Sequence, residues 1–160
     1  MLWIVNLHTQ REIRVPVKWA AAGLESLDWR RISWVFASRR TGRRRTVHPR
    51  LVRLLAQLQA RFDDRRIELV SGYRVPEEPD GFESFHHVAR AADLRIAGVS
   101  NRALFEACRS LARVGCGYYP AGGHVHVDVR GRSAVWVDLS PPGAPARYVS
   151  DAVEWLRSNP

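Results

Sequence analysis

Residues 124–130 read HVHVDVR, and they place several side chains capable of chemistry at the closest spacing in the chain. A strand repeats every two residues, so His124, His126, Asp128 and Arg130 fall on one face and Val125, Val127 and Val129 on the other. The valines suit a core, while the opposite face offers two imidazoles and a carboxylate to one small volume. A second group, Ser84-Phe85-His86-His87, precedes Asp93 at the entry to another strand and adds further candidate ligands. Two histidines, one carboxylate and an open corner for water form a common catalytic zinc arrangement. The isolated His8 and His48 read as ordinary hydrogen-bonded or exposed side chains.

The elements that must position these residues follow from periodicity and turn chemistry. Leu2–Leu7 is a short apolar run, and Ile13, Val15 and Val17 alternate after a connector, which predicts a hairpin. Pro16 lacks a donor, so the second strand ends there or lies at an edge. A weak helical pattern covers 20–27. His48-Pro49 opens the clearest helix, with Leu51, Leu54, Leu55, Leu58 and Phe62 at helical spacing and Asp63-Asp64 ending it. Ile67–Val70 is a strand running into Ser71-Gly72-Tyr73-Arg74, and the proline-rich, acidic residues 75–85 form a loop. Ala92–Ala97 alternates as a half-buried strand. Ser100 caps a helix expected to reach Arg113, with Val99 and Leu104 as a hydrophobic staple. Gly115–Pro120 is extended, and Ala134–Leu139 is expected to pair with the HVHVDVR strand across the Arg130–Ser133 turn. A proline-rich segment then leads to a short terminal helix capped by Ser150. This order predicts an α+β fold with a mostly antiparallel sheet and helices packed to one side. A single domain is expected over 1–160, with a core at 2–139 and a C-terminal extension at 140–160.

The composition sets the outer limits. The chain has 160 residues, 46% of them hydrophobic and six of them tryptophan, which suits one folded domain rather than disorder. It lacks an apolar run of the roughly 18–20 residues needed to cross a bilayer, and no export signal is visible. The formal net charge is +9, and Lys18 is the only lysine beside 24 arginines. Such a field favours an anionic partner, yet the dense stretch Arg39–Arg45 has no interleaved aromatics for stacking bases. Binding to nucleic acid would also leave the histidine-aspartate pattern without a purpose. Cys108 and Cys116 have no metal-finger spacing and are expected as buried thiols, with a disulfide open to them in an oxidising compartment.

Several of these residues together resemble a known family. Ser71-Gly-Tyr-Arg74, Ser84-x-His86-x-x-Ala89-x-Ala91-x-Asp93, Gly117-Tyr-Tyr-Pro120 and Val125-His126-Val-Asp128 occur in the order found in the zinc D-Ala-D-Ala metallopeptidases. These enzymes have the Hedgehog/DD-peptidase fold, and the likeness is nearest to their murein endopeptidase branch. It extends from Asn6-Leu-His-Thr9 to about Trp136. The resemblance implies one zinc per chain held by His86, Asp93 and His126, with His87 the fallback ligand. It also implies that Arg74 stabilises an oxyanion or holds a substrate carboxylate. Asp128 would orient a ligand. Ala89 stands where the family has glycine, the 74–84 loop is short, and Gly123 stands where many relatives carry an acidic base. His124 occupies the place of the histidine used by the lysostaphin-type branch and is the implied base. The implied activity is hydrolysis of peptidoglycan stem peptides or cross-links by metal-activated water, in the periplasm or cell envelope. A wall-binding module of the same fold, without catalysis, is the alternative.

Overall fold

The fold was obtained as a computed structural model that describes residues 1–17, 26–76 and 84–159. Most of the expected helical pattern at 20–27 and of the loop at 75–85 lies outside those residues. The elements run β1 (Leu2–Asn6), β2 (Glu12–Val15), α1 (Ser26–Val35), α2 (Pro49–Ala60), β3 (Ile67–Ser71) and β4 (Ala91–Ile96). They continue with α3 (Asn101–Arg109), β5 (Val114–Tyr119), β6 (His124–Val129), β7 (Ala134–Val137) and α4 (Ala152–Ser158). The seven strands form one sheet in the order β2-β1-β3-β4-β6-β5-β7.

The architecture is α+β, but the sheet is mixed rather than mostly antiparallel. β1 pairs with β3 in parallel, and β5 pairs with β7 in parallel. The second pairing also corrects the expected hairpin between residues 124–130 and 134–139. β4 and β5 already occupy the two edges of β6, so β7 takes the free edge of β5. The strand at 91–96 is likewise more buried than its alternation predicts. Ala91, Ala92, Asp93 and Leu94 are all buried, because the sheet continues on both sides of β4 and polar side chains cover its second face.

The core forms where the apolar faces meet. Leu51, Leu54, Leu55 and Leu58 of α2 and Leu104, Phe105 and Cys108 of α3 share one buried cluster with Val125, Val127 and Val129 of β6. Each such side chain contributes roughly 1.5–3 kcal/mol by leaving water. His48 caps α2 by accepting from the Arg50 amide, and Pro49 takes the first helical turn. Ser100 caps α3 as expected, whereas Asp151, not Ser150, caps α4 through the amides of Val153 and Glu154. Helix α3 stops at Arg109, four residues before the expected end; the chain turns, with Arg113 at φ 61°, into β5.

Cys108 and Cys116 are joined in a disulfide, not held as free thiols. Both are fully buried where α3 lies against β5, and their Cα atoms are 6.1 Å apart, within bonding reach. Among the described residues no helix is long and apolar enough to cross a membrane.

Candidate metal centre

The site is built on a row of residues crossing five strands. Ser71 of β3 lies opposite Asp93 of β4, Asp93 opposite His126 of β6, His126 opposite Gly117 of β5, and Gly117 opposite Trp136 of β7. Residues paired across a sheet present their side chains on the same face, so register alone brings the carboxylate to the imidazole. Gly117 leaves the row open: a Cβ there would come within 2.5 Å of the Trp136 indole. The indole therefore lies across the glycine, its ring centroid 5.2 Å from that of His126.

His86 joins the row from a turn at residues 85–89. Its Nδ1 donates to the Gly72 carbonyl at 2.7 Å, which leaves Nε2 as the unprotonated nitrogen of a neutral ring. His126 is held the other way round. Its Nε2 lies 3.0 Å from Asp128 Oδ2 and donates to it, so its Nδ1 faces the centre. There His86 Nε2 and His126 Nδ1 stand 3.3 Å apart, and Asp93 Oδ1 lies 3.3 Å from the first and 2.9 Å from the second. All three ligand atoms lie within 4.8 Å of one another.

This donor set fits a zinc ion. Two nitrogen lone pairs and a carboxylate oxygen converge on one point, and the outward N–H of each ring is already spent on an oxygen acceptor. At His86 and Asp93 the surrounding charge and burial agree with this. Burial holds His86 below its ordinary pKa even against the pull of Asp93, keeping the ring neutral. Burial would raise the Asp93 carboxyl, but His86 and His126 outweigh it and hold the group well below the usual carboxylate range. For His126, burial pushes the pKa down and the hydrogen bonds to Asp128 and Asp93 push it up, with a net rise. Asp128 is kept ionised against burial by Arg130, whose Nε donates to Oδ1 at 2.7 Å, and by His126.

The remaining candidates fall around this centre. The Arg74 guanidinium forms an ion pair with Asp93 Oδ2, and its Nε donates to Ser71 Oγ at 2.9 Å. His124 lines the same cleft, one pleat along β6, stacked on Tyr119 with ring centroids 4.7 Å apart. Its Nδ1 is 3.3 Å from the Gly122 carbonyl, so Nε2 is the nitrogen left to accept a proton. His87 stays outside the cluster: the turn brings in His86 instead. Gly123 adopts φ 65° and Ala89 φ 52°. Left-handed backbone of this kind costs an L-residue roughly 1–2 kcal/mol, which disfavours an acidic side chain at 123.

The cleft encloses about 710 Å³. Several of its walls escaped sequence reading. Tyr119 accepts a hydrogen bond from Trp136 Nε1 at 2.9 Å, and burial raises its hydroxyl pKa to about 12. His8, read as an ordinary side chain, lines the cleft with its Nε2 3.2 Å from Arg39 Nη1. Residues of the segment 140–148 complete the lining. Strand register could have exposed the Gly117–Trp136 pair, but only once β7 was known to lie beside β5.

Residues 1–136 match the family described as Peptidoglycan L,D-endopeptidase MepK. A curated relative described as probable peptidoglycan L,D-endopeptidase MepK, from Haemophilus influenzae, is 28% identical over 119 residues, covering 68% of this chain. The chain spans 64% of the length of that relative. No solved structure matches the chain.

Proposed function

The chain belongs to the peptidoglycan L,D-endopeptidase family, and from that premise we propose that it is a zinc peptidase cleaving peptidoglycan stem peptides or cross-links. The observation that carries the proposal is the meeting of His86 Nε2, His126 Nδ1 and Asp93 Oδ1 with their other ring nitrogens already committed. His86, Asp93 and His126 would hold one zinc. When bound, the ion supplies a Lewis acid and brings the pKa of water near 7.

The chain's own residues have distinct tasks in this reading. Asp128, itself clamped by Arg130, keeps the His126 N–H pointed away from the centre and fixes the ring. Arg74 balances the Asp93 charge and offers the remaining guanidinium N–H groups to negative charge developing on the substrate carbonyl oxygen. His124, with Nε2 free, accepts a proton during attack and returns it to the leaving amine. Trp136 and Tyr119, hydrogen-bonded to each other, form one wall of the cleft beside the centre.

An envelope location fits this substrate, and the buried Cys108–Cys116 disulfide suits an oxidising compartment. Digestion of purified sacculi with zinc-loaded protein is expected to release peptides of new mass, with none after chelation and none from His126→Ala. Zinc bound without any product would favour a wall-binding module instead.

A further inference from the structure

A second hollow, of about 680 Å³, adjoins the cleft, and Ser84 and Phe85 line both. Among the described residues its lining includes Arg45, Arg90 and His48 and no acidic side chain. The arginine-rich stretch bridges the two spaces, since Arg39 lines the cleft and Arg45 lines the hollow. Phe85 lies between them, under the Arg130 guanidinium at 4.8 Å from the ring centroid.

The hydrogen bonding inside the hollow is incomplete in a specific way. His48 Nδ1 accepts from the Arg50 amide at 3.2 Å, so a neutral ring carries its proton on Nε2. Arg90 Nη2, also a donor, stands 3.3 Å from that nitrogen. Burial, followed by the charges of Arg90 and Arg50, holds His48 below its ordinary pKa and so favours the neutral ring. Two donors facing one another are relieved together by a single acceptor oxygen between or above them. Arginine in such a place pairs two-pronged with a carboxylate.

We propose that this hollow is a carboxylate-binding site for the second peptide strand of a cross-linked substrate, with Arg45 and Arg90 as specificity-determining residues. The inference rests on the peptidase reading above and extends it. An endopeptidase takes chain on both sides of the bond it cuts, and the hollow is the basic space that continues the cleft past Phe85. Peptide strands carrying free carboxylates match the two arginines and the aromatic ring of this lining.

The test compares the full chain with Arg45→Gln/Arg90→Gln, both chelated so that nothing is cleaved. Binding of a cross-linked dimeric muropeptide and of its uncross-linked monomer is measured by calorimetry. The double variant is expected to bind the dimer about tenfold more weakly and the monomer unchanged. Its zinc stoichiometry and Tm should match the parent chain, as neither arginine touches His86, Asp93 or His126. Unchanged dimer affinity, an equal loss for both ligands, or no binding of either by the parent chain would overturn the assignment. So would tighter binding of a phosphate-bearing wall polymer than of the dimer, lost in the same variant. Cleavage of the dimer by zinc-loaded parent chain is scored separately. Its absence with hollow-dependent binding intact would sink the peptidase reading and leave the binding site standing.

Discussion

His126 uses both ring nitrogens, one toward Asp93 and one toward Asp128, and the second contact decides what the first can do. Asp128→Asn can present its amide N–H to His126 Nε2 and favour the wrong tautomer. Metal affinity is then expected to fall about 10–100-fold, measured by competition with a chelator, while the fold persists. Gly123→Glu is expected to lower stability by roughly 1–2 kcal/mol without raising activity, because residue 123 sits at positive φ. A Tm measurement and a sacculus digest on the same sample check both parts. At this scale HVHVDVR was legible because strand alternation is strict, and it correctly put His126 and Asp128 on one face. His86 lies in a turn with no period, so only the family resemblance could distinguish it from His87.

The segment 140–148 is an element without regular structure, and Asp138 fastens it. Asp138 Oδ1 accepts from the amides of Ser140 and Arg147, both at 2.9 Å, and residue 138 bridges to Tyr148. Arg102 secures the helix that follows by donating to the carbonyls of Leu156 on α4 and of Asn159, its C-cap. This wall lies beyond residues 1–136, the part of the chain matched by the family. Burial tends to raise the Asp138 carboxyl, but the Arg147 and Ser140 amides lower it further, leaving a net fall below 3.8. The folded pKa is thus below the unfolded one, so the contribution is complete above the unfolded value and is lost as pH falls through the folded value. Amide exchange at Ser140 and Arg147, corrected for intrinsic pH effects, is expected to stay level down to about pH 4 and rise below it. Asp138→Asn is expected to raise it already at neutral pH. The hairpin, α2 and the start of α3 were legible because their apolar spacing and caps are local. The partner of β7 was not: it depends on which strand edges remain free after β4, β5 and β6 have assembled.

Taken whole, the molecule couples a strongly basic surface, a formal net charge of +9, to a cleft whose centre is itself ionic. One disulfide closes a short loop between α3 and the strand carrying Gly117 and Tyr119. Replacing Cys108 and Cys116 together by alanine removes a cross-link spanning eight positions, worth about 2.5 kcal/mol by loop entropy. A Tm fall of roughly 5–10 °C is expected, reproduced in the parent chain by reductant under denaturing cycles. Sequence reading expected buried thiols and left that bond open, because it depends on how α3 lies across β5, which spacing does not reveal. The most direct test weighs the intact chain by native mass spectrometry after exposure to zinc and removal of the excess. The mass of about one zinc per chain is predicted for the parent sequence and close to none for Asp93→Ala; a parent chain that takes up no zinc at neutral pH contradicts the account.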